Sequence, residues 1–159
     1  MKDIIKITIT GHRKKYIKDH KKIKQDIEYI LDKYFSEKNK YLFNIGLSDG
    51  IDLWFWYTAL KKWYKVDSHL VKSDEEGRWY RDDEDYKLFN YILKNSQKIY
   101  KYDDYLERNT GMVKKCEWLI AYLTKKWCSG TLDTIWKFLI MKDLNKLNIS
   151  KYNNFIIFK

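Results

Sequence analysis

Residues 4–13 read Ile-Ile-Lys-Ile-Thr-Ile-Thr-Gly-His-Arg. All of the first seven except Lys6 are β-branched, and they alternate loosely between apolar and polar, which is typical of a buried strand. The strand should stop at Gly11, because glycine accepts backbone conformations that other residues avoid. These residues therefore predict a strand that leads into a glycine turn.

Strands and helices alternate along the rest of the chain. Besides the strand at 4–10, strands are predicted at 41–45, 66–71, 98–102, 118–123 and 155–158; helices are predicted at 18–37, 51–65, 82–95, 107–115 and 132–144. The run 118–123 is apolar throughout, as expected for a central parallel strand covered on both faces. The alternation predicts a three-layer, Rossmann-like α/β fold with a mostly parallel sheet. No linker or repeat divides residues 1–159, so we expect a single domain.

The composition excludes several classes of protein. The chain has 159 residues, of which 45% are hydrophobic and 34% charged. This apolar share is too high for intrinsic disorder, and its pattern is too interrupted for a membrane protein. Met1 leads directly into the first strand without a secretory leader, so a cytoplasmic location is expected. Cys116 and Cys128 lack metal-ligand spacing, so neither a metal nor another cofactor is expected.

The charge balance is basic, but it does not favour nucleic acid as a partner. Lysine and arginine number 32 against 22 acidic residues, a formal charge of +10. Most of these cations are evenly spread lysines, whereas arginine is the usual reader of phosphates and base edges. The rare arginines are therefore the informative cations. They are Arg13, Arg78, Arg81 and Arg108.

Three polar loops that contain glycine follow predicted strands, at 10–13, 46–52 and 128–131. In a doubly wound sheet, ligands bind beyond the carboxyl ends of the strands, where the free N–H groups of helix starts attract anions. The loops contain neither a Walker motif nor the Gly-x-Gly-x-x-Gly fingerprint of dinucleotide-binding folds. Converging loops of this kind predict a phosphate cradle.

In this order, the loops resemble the SLOG superfamily, the Rossmann-like group named for the DNA-processing (Smf/DprA) proteins and the Lonely Guy phosphoribohydrolases. The matching segments are Thr-Gly-His-Arg at 10–13, Gly-Leu-Ser-Asp-Gly-Ile-Asp-Leu-Trp at 46–54, Arg-Asn-Thr-Gly-Met-Val at 108–113 and Ser-Gly-Thr at 129–131. They look like the small, phage-associated branch, and the resemblance covers nearly the whole chain. It implies a nucleotide or NAD-derived ligand, such as ADP-ribose or a cyclic relative.

The sequence departs from that branch on two sides of the expected site. Leu47 replaces a glycine, and Asp49 introduces a carboxylate that should repel a phosphate placed directly there. The branch's Pro-Phe-x-x-Gln-x-x-x-Trp segment survives only as Trp79, with Glu75 near the glutamine position.

The departure with most consequence for catalysis is at Thr134. The resemblance places the catalytic glutamate of the phosphoribohydrolases there, and a hydroxyl cannot act as a carboxylate acid or base. The neighbouring Asp133 should point about 100° away on a helix. We therefore expect binding, in sensing or sequestration of a signal in a phage or defence setting, and assign no catalytic residue. The alternatives are a phosphoribohydrolase with a displaced acid, such as Asp49 or Asp133, and a single-stranded DNA-binding protein.

Several predicted ligand-binding residues also have a purely structural interpretation. Arg13 and Arg108 either pair with phosphate or are ordinary surface arginines. Asp52 either braces its helix or binds a ribose hydroxyl or base, and His12 either packs within its loop or bonds the ligand. Residues 129–131 either cap a helix or bind phosphate. The full predicted set is Gly11, His12, Arg13, Gly46, Ser48, Gly50, Asp52, Arg108, Asn109, Ser129, Gly130, Thr131 and Thr134.

Aromatic residues crowd the helix predicted at 51–65. They are Trp54, Phe55, Trp56, Tyr57, Trp63 and Tyr64. One helix is not expected to hide so many rings within a single subunit, which indicates a subunit interface. The resemblance agrees, since SLOG proteins commonly dimerise through helices that flank the site. We therefore expect a homo-oligomer.

Overall fold

The computed structural model describes residues 3–74, 83–124 and 129–159. Within these ranges the strands are β1 (Ile5–Thr10), β2 (Tyr41–Gly46), β3 (Lys65–Val71), β4 (Ile99–Tyr102), β5 (Trp118–Tyr122), β6 (Ile149–Tyr152) and β7 (Phe155–Phe158). The helices are α1 (His20–Tyr34), α2 (Ile51–Lys61), α3 (Asp83–Asn95), α4 (Tyr105–Lys114) and α5 (Ser129–Met141). The predicted Rossmann-like α/β fold is confirmed.

One seven-stranded sheet in the order β4-β3-β2-β1-β5-β7-β6 organises the described residues. The first five strands in this order are parallel, with β1 between β2 and β5. The last two strands form an antiparallel hairpin on the β5 edge. The sheet is thus mostly parallel, as predicted, and the carboxyl ends of β2, β1 and β5 lie side by side.

The two faces of the sheet differ in chemistry. Ile7 and Ile9 point into the larger apolar core, which α1, α2 and α3 cover. On the other face, α5 and the end of α4 enclose a smaller apolar cluster. Thr8 and Thr10 alternate with the two isoleucines along β1 and are also buried. Polar residues in central strands therefore lie beneath the second helical layer.

The aromatic residues of the helix predicted at 51–65 are mostly buried within one chain, so their number does not by itself indicate a subunit interface. The buried members are Trp54, Phe55, Trp56 and Tyr64. They fit because α2 packs between the sheet and its two neighbouring helices, whereas Trp63 is 85% exposed in the turn that follows α2. Exposed large apolar side chains lie on α5 instead, at Trp136, Ile140 and Met141. The homo-oligomer stays a prediction.

The sequence patterns did not predict β6. The chain folds back after a left-handed residue, Asn153, with φ 51°. The Asn153 side chain donates to Asp26 of α1 over 3.1 Å, which ties the turn to the helical layer. The asparagine pair between two short runs that carry isoleucine and aromatic residues is a hairpin signal that could have been recognised.

No helix in the described part of the chain is long and apolar enough to cross a bilayer. Over the same residues, His, Cys, Asp and Glu side chains form no group of three or more that could hold a metal ion. Cys116 is buried and free, and Cys128 lies outside the described residues.

The loop after β1 interlocks with the start of α2. The Ile51 N–H donates to the His12 carbonyl oxygen over 3.3 Å, and the Lys14 N–H donates to the Asp49 carboxylate over 3.4 Å. A Cβ at Gly50 would lie 2.5 Å from the Lys14 nitrogen, and Gly50 has φ 85°. A Cβ at Gly11 would lie 2.6 Å from Ile51. Two glycines therefore allow the loops to touch backbone to backbone.

We expect Gly50→Ala to lower the free energy of unfolding by at least about 2 kcal/mol, since it combines an unfavourable positive φ with a clash against backbone atoms. Denaturant unfolding followed by circular dichroism measures this change. Gly130→Ala is the matched control, because a Cβ there meets nothing within 4 Å. Equal free energies of unfolding for the two variants would contradict the close contact between the loop after β1 and the start of α2.

Candidate functional site

A cleft of about 730 Å³ opens at the carboxyl ends of the central strands. Its wall consists of the loop after β1, the loop between β2 and α2, and the first turns of α4 and α5. The lining residues are Ile9, Thr10, Gly11, Arg13, Lys15, Tyr16, Ser48, Asp52, Tyr105, Leu106, Arg108, Asn109, Met112, Ser129, Gly130, Thr131 and Asp133. Segments that are far apart in the chain therefore meet at one rim, as the loop motifs predicted.

Most predicted site residues lie in this wall. They are Gly11, Arg13, Ser48, Asp52, Arg108, Asn109, Ser129, Gly130 and Thr131. His12, Gly46, Gly50 and Thr134 lie behind it. A ligand contact of these last residues stays a prediction.

His12 connects the loop after β1 to the loop after β5. Its ring is fully buried, and Nε2 accepts a hydrogen bond from the Thr124 N–H over 3.1 Å. Nδ1 then carries the proton and faces the Thr131 hydroxyl at 3.4 Å. The ring also packs edge-on against Tyr122. Of the two interpretations of His12, the structure favours packing between loops.

Arg108 and Asp52 meet at the floor of the cleft, and Gly46 leaves the room for them. A Cβ at Gly46 would lie 3.0 Å from the Arg108 guanidinium carbon and 3.1 Å from the Asp52 carboxylate. Arg108 is only 9% exposed, and its guanidinium lies over the ring of Tyr105 at 4.9 Å. It is therefore an interior cation of the cleft and not an ordinary surface arginine.

Asp52 is a buried carboxyl that faces both a cation and a backbone donor. The Ser48 N–H donates to its Oδ2 over 3.3 Å. Burial raises the pKa of Asp52 to about 7, against the opposing effects of Arg108 and the Ser48 N–H. The proton is thus held at a pH where an exposed aspartate has lost it, because ionisation in a dry site is unfavourable. Asp52 can donate or accept a hydrogen bond near neutral pH.

Asp133 lies in the cleft wall, contrary to the expectation that it points away. Its Oδ2 accepts from the Asn109 amide over 3.0 Å and pairs with Lys137 at 2.9 Å. Thr134 is 1% exposed, and its hydroxyl donates to the Gly130 carbonyl oxygen over 3.1 Å. The packing of α5 against α4 turns residue 133 to the cleft and residue 134 to the interior.

The sequence motifs missed part of the rim. Lys15 and Tyr16 follow the Thr-Gly-His-Arg segment in a short 3-10 turn. Tyr105 and Leu106 belong to the first turn of α4, which begins two residues earlier than predicted because Asp104 caps it through the Glu107 N–H. The capping aspartate was the signal that could have placed Tyr105 and Leu106 on the helix.

The departures in the second loop do not enter the cleft. Leu47 is buried, and Asp49 turns its carboxylate to the Lys14 N–H. Neither side chain lines the cavity, but the charge of Asp49 acts on Asp52 in the cleft wall and helps to raise its pKa. Glu75 and Trp79, which were compared with the missing branch segment, lie outside the described residues.

No protein-family model and no curated protein sequence matches this chain. Solved structures do share its fold, among them the following two. DNA processing protein A (DprA) from Streptococcus pneumoniae matches with a TM-score of 0.61 and 16% identity over 86% of this chain and 47% of its own. TM1055 matches with a TM-score of 0.61 and 13% identity over 87% of this chain and 70% of its own.

This chain thus spans about half the length of DNA processing protein A. At such low identity the likeness concerns the fold alone. Beyond this shared architecture, the resemblance to the SLOG superfamily stays a prediction. The assignment to a phage-associated branch stays a prediction.

The raised pKa of Asp52 makes stability depend on pH. The folded protein holds this proton up to about pH 7, whereas the ordinary value is 3.8. The stability from the protonated group is therefore fully present below the ordinary value and is lost as pH rises through about 7. We expect Asp52→Asn to gain stability relative to the parent chain by a few kcal/mol between about pH 5 and pH 8.

Urea unfolding of both proteins across this pH range measures the gain. Asp32→Asn is the control, because the Asp32 side chain is 63% exposed and pairs with Lys62 at the surface. A difference between Asp52→Asn and the parent chain that does not change with pH would show that Asp52 is ionised throughout.

Proposed function

We propose that the cleft binds a nucleotide or an NAD-derived molecule, such as ADP-ribose or a cyclic relative. The observation that carries the proposal is the convergence of Arg13, Arg108 and the start of α5 on the same cavity as Asp52. Cations and free helix N–H groups suit phosphate, and a carboxyl suits a hydroxyl or base N–H. A ligand that carries phosphate at one end and a sugar hydroxyl or a base at the other matches this arrangement of groups.

The phosphate end is assigned to the rim. Arg13 and Lys15 follow β1, and Ser129 and Gly130 form the exposed first turn of α5 across the cleft. The positive end of the helix dipole adds to these cations. A guanidinium that pairs with two phosphate oxygens fixes orientation as well as charge, which favours Arg13 over Lys15 as the specific contact.

The sugar or base is assigned to the floor. Asp52 and Asn109 are nearly inaccessible to solvent but border the cavity. Hydrogen bonds at buried groups discriminate strongly, because an unmatched partner leaves them unsatisfied. The rings of Tyr16 and Tyr105 lie at the same rim and offer flat surfaces to a base. The ligand would then run from the floor to the α5 rim.

The biological task we propose is to sense or sequester such a molecule, in a phage or defence setting. This step rests on analogy with the SLOG resemblance, because one fold serves many functions. The absence of a carboxylate at Thr134 supports binding without turnover.

Hydrolysis of an N-glycosidic bond is the second candidate function, and Asp133 is the observation that favours it. Its carboxylate borders the cleft and accepts from the Asn109 amide over 3.0 Å, and Asp52 lines the same cavity. Two carboxyls that flank one site are the groups that glycoside hydrolysis requires. The structure offers Asp133 for this role rather than Asp49.

Single-stranded DNA binding is less well supported. A groove between α1, α2 and α3 carries Lys24, Lys61 and Lys87 beside tyrosines, but Glu28 and Glu84 share it. The carboxylates weaken the field that a phosphate backbone requires. DNA binding at this groove predicts an affinity that falls steeply with salt.

We expect Arg108→Ala to weaken binding of AMP or ADP-ribose by about 1.5–3 kcal/mol, the contribution of a hydrogen bond to a charged group. Isothermal titration calorimetry measures the change. Lys62→Ala removes a cation that pairs with Asp32 away from the cleft, and it should bind like the parent chain. Unchanged affinity in Arg108→Ala would remove Arg108 from the site.

Incubation with AMP, NAD and ADP-ribose should return each compound intact on chromatography, because no carboxylate stands at Thr134. Release of free base would contradict a pure binder. The variants Asp133→Asn and Asp52→Asn would then identify the catalytic carboxyl. Loss of release in Asp133→Asn with retained binding would establish the hydrolase alternative.

A further inference from the structure

Buried polar side chains form a row across the sheet beneath α4. Thr8, Asn44 and His69 lie on the adjacent strands β1, β2 and β3, and each is at most 1% exposed. The Thr8 hydroxyl donates to the Met112 carbonyl oxygen over 2.9 Å. The Asn44 amide donates to the carbonyl oxygen of Lys115, just after α4, over 3.2 Å. These two hydrogen bonds therefore hold the second half of α4 against the sheet.

His69 extends this row to Tyr102 at the end of β4. Its Nε2 lies 3.0 Å from the Asn44 side-chain oxygen, and its Nδ1 lies 2.8 Å from the Tyr102 hydroxyl. Since the amide oxygen of Asn44 can only accept, Nε2 carries the proton and Nδ1 accepts from Tyr102. Burial lowers the pKa of His69 to about 3, and Arg108 and Lys115 act in the same direction. The ring therefore keeps one protonation state at physiological pH.

The ring of Tyr102 packs directly against the backbone of α4. A Cβ at Gly111 would overlap the Tyr102 ring, so the helix backbone lies directly against it. The His69 ring stacks on Tyr102 at 5.7 Å and on Tyr100 at 4.8 Å, which holds the tyrosine from below. Glycine is required at this contact because the helix and the ring leave no space for a side chain.

Gly111 lies three residues after Arg108, which is just under one helical turn. The distance of α4 from the sheet at Gly111 therefore determines where the Arg108 guanidinium enters the cleft. At the other end the guanidinium lies beside Gly46 and next to Asp52, in space that a side chain at residue 46 would take, since a Cβ there would lie 3.0 Å from the guanidinium carbon. A small lift of α4 would separate Arg108 from Asp52.

We propose that His69 and Tyr102 are positioning residues that hold α4 where Arg108 enters the cleft beside Asp52. They act through Arg108 and touch no ligand, since neither lines the cavity. The loss of ligand affinity expected on changing these residues rests on the proposed function. The expected displacement of the Arg108 side chain does not. These residues explain why histidine and asparagine occupy the interior of a sheet that could otherwise be apolar.

The affinity test is a double-mutant cycle between Tyr102→Phe and Arg108→Ala with ADP-ribose as the probe. Tyr102→Phe keeps the ring under Gly111 but removes the hydroxyl from His69. It should weaken binding by roughly fivefold or more, and it should have little further effect when Arg108 is already alanine. Additive effects of the two substitutions would overturn the proposal.

Tyr64→Phe is the matched control. The Tyr64 hydroxyl is also buried and donates to the carbonyl oxygens of Leu31 and Phe35, under α1 and away from α4. This variant should lose stability without losing affinity. An affinity loss in Tyr64→Phe equal to that in Tyr102→Phe would reduce the effect to general destabilisation and overturn the proposal.

A second measurement needs no ligand. The chain contains four arginines, so the side-chain Nε–Hε region of an NMR spectrum is simple, and Arg108→Ala identifies the Arg108 signal. Tyr102→Phe should shift this signal, whereas Tyr64→Phe should not. An unmoved signal would overturn the positioning role. A moved signal in a chain that binds no nucleotide would instead uphold positioning and reject the proposed function.

Discussion

The structure depends on a close approach of two backbones, where the loop after β1 crosses the start of α2. Gly50 and Gly11 permit this approach, because any side chain there would meet the Lys14 backbone or Ile51. Once these two loops touch, His12 is directed inward and connects them to the loop after β5 and to Thr131. Three separate segments thus become one wall of the cleft.

The electrostatics of that wall are local and do not follow from the net charge of +10. Most lysines lie on the surface, where solvent and salt screen them. Arg108 and Asp52 lie in the interior, where the charge of Arg108 opposes the rise in the pKa of Asp52 that burial causes. A buried guanidinium needs a firm support, since small shifts in a dry site have large electrostatic effects. The polar row under α4 supplies that support.

Much of the fold could be predicted from local patterns. The apolar run at 118–123 indicated a central parallel strand, and glycine at the ends of β1 and β2 marked the turns of the cleft. Sequence patterns gave wrong or missing predictions where contacts between residues far apart in the chain decide the structure. Trp54 and Trp56 were among the aromatic residues interpreted as part of a subunit interface. Both are buried within one chain, because α2 is covered on several sides. The strand β6 was missed because it is short and because the turn that joins it to the predicted strand β7 lacks glycine.

The sequence by itself determined the order of strands and helices apart from β6, the loops with glycine, and the presence of Arg13 and Arg108 in the matching segments, because each follows from residues close together in the chain. Only the tertiary structure decided which side chains face the cleft. Asp133 lines it while Thr134 and His12 are buried, because the rotation of α5 and the direction of His12 depend on contacts with distant segments. The support of Arg108 by His69 and Tyr102 has the same origin, since it joins β3, β4 and α4 through contacts that spacing along the chain does not encode.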